Sequence, residues 1–458
     1  MSEYLDLLAR KAVAAPLRGL PSIPDLAPHL FPFQSECVAF GLRAGCAGIF
    51  LDTGLGKTLV ELEWCRHAAT ASNGKALILT PLAVARQIER EAKRFGYDDV
   101  RVIREQSDTK LGTNICNYDR LDKLDPAAFG AVALDESSVL KNFTGKTTRA
   151  LIGMFEGHRW KLSASATPAP NDHMELGQQC EFLSVMASNE MLARWFISDQ
   201  TQMGRYRLRG HAVESFWDWM ASWARMAEHP RDLGDDVDGF DLPPLRVIRH
   251  EAEAATVESW GDLFDAVSVS ATTLHDVKRR TAGSRAATAA AVAMASGEPC
   301  VIWCDTDYEA DALLDEIGEE PGVSEVRGSH PIERKEAALA DFADGTSRVL
   351  ISKPSVCGYG LNWQHCARMV FMGRSFSYES YYQAVRRCWR FGQKRPVDVH
   401  LVVADSEQHI GDVIDRKAAD HARMKTAMVG AMKRAMGTAS SVKAPYIPTH
   451  EGRLPAWL

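Results

Sequence analysis

Short apolar runs alternate with stretches of helical period along most of the chain. Ala47-Gly-Ile-Phe-Leu51, Ala76-Leu-Ile-Leu-Thr80, Ala131-Val-Ala-Leu134 and Arg159-Trp-Lys-Leu-Ser163 read as strands, with Val100–Ile103 and Thr113–Cys116 as weaker ones. Helical segments fall between them, as at Thr58–Ala71 and Ala83–Phe95. A second series begins near Gly297, with strands at Val301–Trp303, Val323–Val326, Val349–Ser352, Met369–Met372 and Val397–Val403. Buried runs separated by helices predict parallel sheets covered on both faces, hence an α/β fold with two lobes.

Between the series, Asn171–Ser296 reads as helical and aromatic, with Phe216, Trp217, Trp219 and Trp223 as core. The pattern divides the chain into a lead-in helix (1–27), a first lobe (28–170), an insertion and hinge (171–296), a second lobe (297–405) and a C-terminal helix with tail (406–458). The 458 residues suffice for about three domains, and 46% apolar with 25% charged residues is a globular balance. No apolar run is long enough to span a bilayer. The N-terminus carries Glu3 and Asp6 where a signal peptide is basic, so a cytoplasmic protein is expected. The net charge of −7 excludes a tail-driven polyanion binder but not a local basic groove. Ten scattered cysteines, without a paired C-x-x-C framework, read as reduced core thiols.

Three motifs carry chemistry. Asp52-Thr53-Gly54-Leu55-Gly56-Lys57-Thr58 follows a strand and opens a helix, the context a phosphate loop requires. Lys57 would reach the β and γ phosphates, and the Thr58 hydroxyl would ligate magnesium. Leu51 stands where such loops often begin with Gly or Ala. Asp135-Glu136 closes the strand before it; Asp135 would hold magnesium and Glu136 would orient or deprotonate the attacking water. Gln383 to Val397 contains five basic residues and no acid, and helical spacing would put Gln383, Arg387 and Arg390 on one face. Arginine so far along the chain from a phosphate loop suggests a finger directed at transition-state charge. Gln202–Gly210 interleaves arginines with Tyr206, a composition that suits phosphate contact or an exposed hairpin equally.

In this order the motifs resemble those of superfamily 2 helicases, in the Swi/Snf-like branch of DNA-dependent ATPases. Leu30-Phe-Pro-Phe-Gln34 resembles the Q motif, Asp52–Thr58 motif I, Leu79-Thr-Pro81-Leu82 motif Ia, and Asn117–Leu121 the next strand-end motif. Asp135-Glu-Ser-Ser-Val-Leu-Lys141-Asn142 resembles motif II, with the Leu-Lys-Asn of this branch, and Leu162–Pro168 motif III. Gly358-Tyr-Gly360-Leu-Asn362 resembles motif V, and Gln383–Gln393 motif VI. Two departures stand out: Ser137-Ser138, and Ser163-Ala-Ser165-Ala166-Thr167 in place of a plain Thr-Gly-Thr. The compact layout looks like the standalone versions of bacteriophages.

The resemblance implies two RecA-like lobes in tandem with a helical insertion, and ATP with Mg²⁺ as cofactors. Lys57, Asp135, Glu136, Arg387 and Arg390 would be catalytic, with Thr58 and Asp135 on the metal. Gln34, Thr53, Gly54, Leu55, Gly56 and Gly360 would contact the nucleotide, Gln34 through the adenine and Phe31 or Phe33 by stacking. Pro81, Lys141, Asn142, Thr167 and Asn362 would serve the nucleic-acid groove or the relay to it. The expected activity is ATP-driven movement on DNA, duplex more than single-stranded, by a monomer; a protein partner could bind the insertion or the tail. An RNA helicase and a nucleotide-gated binding module that does not translocate are the alternatives.

Overall fold

The computed structural model describes residues 14–81, 84–198, 206–252, 278–357, 362–404 and 408–440. The expected lead-in helix before residue 14, Leu82, the Gln202–Arg205 arm, Gly358–Leu361 with Gly360, and the tail after Ser440 lie outside these residues. The chain divides into two compact units: residues 1–237 with 420–458, and residues 238–419.

In the first unit, helices α1 (Pro32–Ala44), α2 (Lys57–Thr70), α3 (Ala85–Arg94) and α4 (Lys146–Met154) alternate with strands β1 (Cys46–Leu51), β2 (Lys75–Thr80), β3 (Val100–Val102), β4 (Gly112–Asn117), β5 (Ala131–Asp135) and β6 (Trp160–Ala164). Then come α5 (Leu176–Phe182), α6 (Ser188–Trp195), the antiparallel hairpin β7 (Phe196–Ser198) and β8 (Tyr206–Leu208), α7 (Val213–Trp223) and β9 (Ala224–Ala227). The sheet runs β3-β4-β2-β5-β6-β1-β9, parallel throughout. Parallel strands put all their C-terminal tips along one edge, where ligands of open α/β sheets bind. Here the edge collects the loop after β1, the Asp135 tip of β5 and the turn after β6.

The second unit contains β10 (Leu245–Glu251), α8 (Ala282–Met294), β11 (Cys300–Trp303), α9 (Asp307–Ile317), β12 (Val323–Val326), α10 (Ile332–Asp344), β13 (Val349–Ser352), β14 (Arg368–Phe371), α11 (Tyr378–Val385) and β15 (Val397–Val403). Its sheet, β10-β15-β14-β11-β13-β12, is also parallel throughout. Alternate strand residues feed two apolar layers. Val301, Trp303, Leu350, Met369, Phe371, Val399 and Leu401 pack on one face, and Cys300, Ile302, Val349, Ile351, Val370 and Val402 on the other. The period of two within each strand builds a core on both sides of the sheet. α12 (Gln408–Ser440) follows β15, and its residues from Asp420 onward belong to the first unit.

The stretch expected as a helical insertion, 171–296, is shared between the two units and supplies an edge strand to each sheet. β9 pairs with β1 and β10 with β15. Trp217, Trp219 and Trp223 are buried, with Trp195 stacked on Trp219 at 4.5 Å between ring centroids. All ten cysteines are buried free thiols, Cys300 and Cys304 among them.

Candidate active site

The phosphate loop leaves β1 with its backbone folded back on itself. Gly54 and Gly56 take φ of 98° and 75°, a left-handed region open to glycine at little cost. Gly56 is the N-cap of α2 and no side chain caps this helix, so its N-terminus is available to an anion. Asp52 organises the loop: its Oδ1 accepts from the Thr53 N–H at 2.7 Å, and its own N–H donates to the Ala227 carbonyl at 2.9 Å. Lys57 Nζ donates to the Leu51 carbonyl at 2.9 Å. Burial lowers the Lys57 pKa from its ordinary value, opposed by Glu136, Asp52, Asp135 and Glu61. A lysine facing that many carboxylates lies in the same pocket as the acid pair. Thr58 is half-buried in the first turn.

Asp135 ends β5, and its Oδ2 accepts from Thr80 Oγ1 at 2.7 Å, across from the tip of β2. Tyr118 donates its hydroxyl to the Asp135 carbonyl at 2.8 Å; burial, then Asp135, push that phenol's pKa well up, so it stays a donor. Glu136 is left-handed at φ 57° and ψ 56°, uncommon for a residue with a Cβ. That kink parts the two acids. Glu136 Oε1 accepts from Ser165 Oγ at 2.7 Å and from Ser138 Oγ at 3.2 Å. Ser165 thus links the acid pair to the turn after β6, while Ser138 braces Glu136 from within its own segment. Ser165 Oγ also accepts from the Thr167 N–H at 3.0 Å. Gln179, buried in α5, donates to the carbonyls of Ser137 at 2.9 Å and Pro168 at 3.4 Å and accepts from Ser163, tying the same two segments together.

Gln34 sits under the loop. Its Nε2 donates to the Leu55 carbonyl and its Oε1 accepts from the Phe31 N–H, each at 3.0 Å. A Cβ on Gly56 would stand 2.3 Å from that Nε2, so glycine is needed here for close approach as well as for φ. The expected adenine contact is therefore, in this conformation, a brace between α1 and the phosphate loop. Phe31 is exposed and stacks on Phe33, which is fully buried, so only Phe31 has a face for a base.

Sequence reasoning passed over Glu61, one turn after Lys57 on α2. It is 1% exposed, and neither carboxylate oxygen has a hydrogen-bond partner. Burial, followed by Asp135, raises its pKa well above the ordinary carboxylate value, opposed by Lys57. The signal was an acid at i+4 on a helix whose Lys57 already points at the site. Thr80 and Tyr118 lie inside the motif Ia and strand-end segments but had no role assigned to them there, and Gln179 had no comparable local signal.

The groove candidates fare differently. Asn142 is exposed and caps its own turn, its Oδ1 accepting from the Thr144 N–H at 3.2 Å and hydroxyl at 3.1 Å. Lys141 and Pro81 are half-buried, Asn362 is exposed, and Thr167 is buried.

In the second unit, α11 ends at Val385, so the single helical face expected for Gln383, Arg387 and Arg390 stops short of the arginines. Gln383 and Arg387 still meet: Arg387 donates to the Gln383 Oε1 at 2.9 Å and to its carbonyl at 3.0 Å. Arg387 is buried, while Arg390 is half-buried in the following turn. Gln393 fixes that turn by donating to the carbonyls of Gln364, Cys366 and Cys388 at 2.9, 3.0 and 3.2 Å.

The residues of the first unit suit Mg²⁺-bound nucleotide. A hydroxyl and one carboxylate at a strand tip are the sparse oxygen donors that Mg²⁺ takes alongside phosphate and water. Among the described residues no group of three His, Cys, Asp or Glu forms a richer metal site.

Residues 285–392 match the family model described as helicase conserved C-terminal domain. Over 464 residues the chain is 25% identical to "Putative protein p41" of Acyrthosiphon pisum secondary endosymbiont phage 1, covering 88% of this chain and 98% of that protein. Residues 285–392 are thus a helicase-type C-terminal domain, and over most of its length the chain is similar to a phage protein. It is also 29% identical to a SWI/SNF-related matrix-associated actin-dependent regulator of chromatin subfamily A-like protein 1 from Xenopus tropicalis, over 34% of this chain but only 17% of that protein. A solved Sulfolobus solfataricus SWI2/SNF2 ATPase core in complex with dsDNA aligns over 92% of this chain and 98% of its own, at 16% identity and a TM-score of 0.42. Among the described residues, no helix is long and apolar enough to cross a membrane.

Proposed function

We propose that this Snf2-like ATPase hydrolyses ATP in response to DNA, duplex by preference, and uses the cycle to move along it or remodel it. The observation that carries the reading is the convergence of Lys57, Asp135 and Glu136 at one edge of the first sheet, with Glu136 oriented by Ser165. In this reading the loop N–H groups and Lys57 bind the phosphates, and Thr58 and Asp135 hold Mg²⁺, which neutralises phosphate charge when bound. Glu136 takes the proton of the attacking water. Arg387 and Arg390 meet charge developing on the transferred phosphoryl group, and Gly360 contributes to the nucleotide contacts. Lys141, Asn142, Thr167, Pro81 and Asn362 transmit the state of the site to the nucleic acid or touch it.

The test is ATP hydrolysis by the full chain, alone and with duplex DNA, single-stranded DNA or RNA. Strongest stimulation by duplex DNA is the expected result. Strongest stimulation by RNA favours the RNA-helicase alternative, and no stimulation by any of them overturns the motor. ATP-dependent displacement of a triplex-forming strand distinguishes translocation from a stationary nucleotide-gated binder.

A further inference from the structure

The phosphate loop is held from behind by a residue far along the chain. Lys425 of α12 is 3% exposed, and its Nζ lies 2.7 Å from Glu228 Oε1 and 3.9 Å from Asp52 Oδ2. Asp52 is itself 6% exposed, and its other oxygen receives the Thr53 N–H of the loop. Glu228 directly follows β9, whose last residue, Ala227, accepts the Asp52 N–H. The ammonium therefore closes a ring of contacts joining α12, β9 and the first residues of the phosphate loop. His421, one turn before Lys425, is also buried; desolvation, then Lys425, push its pKa down to about 3. With the histidine neutral, Lys425 brings the positive charge of this stretch of helix to Asp52. Removing a cation that faces a buried carboxylate leaves its charge less compensated, which is costly.

We propose that Lys425 is a positioning residue for the nucleotide site: it fixes the Asp52 carboxylate, and through it the Thr53–Gly56 backbone, in the conformation that receives phosphate. Docking of α12 and occupancy of the loop are then linked, each favouring the other. The proposal rests on the phosphate loop being an ATP site.

Two measurements on the full chain test it. The first is the affinity for a fluorescent ATP analogue with Mg²⁺, in the wild type and in Lys425→Gln, Lys425→Arg and Arg434→Gln. Arg434 ties the same helix to Asp218 at 2.7 Å, on the exposed surface and away from the loop. Lys425→Gln is expected to weaken binding about 10-fold or more, the scale of a misplaced binding group. Lys425→Arg recovers most of it, and Arg434→Gln leaves it unchanged. Wild-type affinity in a folded Lys425→Gln, or an equal loss in Arg434→Gln, overturns the proposal. The second measurement needs no variant: hydrogen–deuterium exchange of the wild type with and without Mg²⁺–ADP. Slower exchange at 421–429 together with 52–58 is expected. Protection of 52–58 alone overturns the positioning role and leaves the ATP site standing. No protection at 52–58, with no analogue bound, overturns the ATP site and this proposal with it.

Discussion

Ser165 Oγ donates to Glu136 Oε1 at 2.7 Å, so the residue proposed to take a proton from water is aimed by a hydroxyl from the turn after the neighbouring strand. β5 and β6 are paired through Asp135 and Ala164, one residue short of this contact on both strands. The sheet thus sets the spacing and the hydroxyl sets the angle. Ser165→Ala is expected to lower kcat about 10-fold, the weight of a hydrogen bond to a charged group, with little change in the KM for ATP. Steady-state kinetics with saturating DNA measures this, and an unchanged kcat would separate Ser165 from the chemistry.

Lys57 and Glu136 are predicted to fail in different ways. Lys57→Ala removes the cation that meets phosphate, so both analogue binding and hydrolysis are lost. Glu136→Gln keeps the shape and the left-handed backbone but cannot accept a proton, so hydrolysis is abolished while binding persists. Equilibrium binding alongside single-turnover hydrolysis distinguishes the two variants. Appreciable turnover in either would remove that residue from its assigned role.

What the sequence revealed and what it concealed divide by range. The phosphate loop, the acid pair and the central strands are local patterns: a glycine spacing, an apolar run, an acid at its end. β9 was read as part of a helical stretch because Ala224-Arg-Met-Ala227 has no β-branched residue and α7 runs directly into it. Its strand conformation comes from pairing with β1, a tertiary effect. β10 is an edge strand with mostly exposed residues, so it carries little of the buried-run signal. Gln179 and Lys425 act over 42 and more than 370 residues of separation, on Ser137 and Asp52 respectively, and no spacing rule connects them. Glu61 was within reach of a helical-face argument. Gln34 was noticed for its motif, but its bonds to Leu55 and Phe31 appear only in three dimensions.

Glu63 supplies a pH-dependent part of the first unit's stability. Burial would raise its pKa, but hydrogen bonds from His67, Arg66 and the Ala27 N–H outweigh burial and hold the carboxyl well below its usual range. Tyr97 adds a bond at 3.0 Å. Because the folded pKa is depressed, the stabilisation is fully present above the unfolded pKa, about 4.3, and is lost as pH falls through the folded value. Glu63→Gln is therefore predicted to destabilise on the order of 2–3 kcal/mol at pH 7, the cost of disrupting a buried charged network. The gap to the wild type should narrow below about pH 4. Chemical denaturation at pH 7 and pH 3.5 checks the sign; an equal gap at both would remove the carboxylate charge from the explanation.

Gln393 and Arg390 test whether the turn after α11 is held for the sake of its arginine. Gln393 donates to three carbonyls, and Gly392 beside it sits at φ 88°, where a Cβ would come within 2.8 Å of Gln364 Nε2. The Gln393 N–H donates in turn to the Arg390 carbonyl at 3.0 Å. Gln393→Ala leaves buried acceptors unsatisfied, so about 1–3 kcal/mol of stability should be lost together with most of the turnover. Arg390→Ala removes a half-buried guanidinium and no part of that carbonyl network, so the melting temperature should stay near wild type. Its DNA-stimulated kcat should nevertheless fall at least as far as in Gln393→Ala, by roughly 10³-fold if the guanidinium meets transition-state charge. Paired melting curves and turnover numbers decide it: a stable Arg390→Ala with wild-type kcat would leave the turn a structural feature alone.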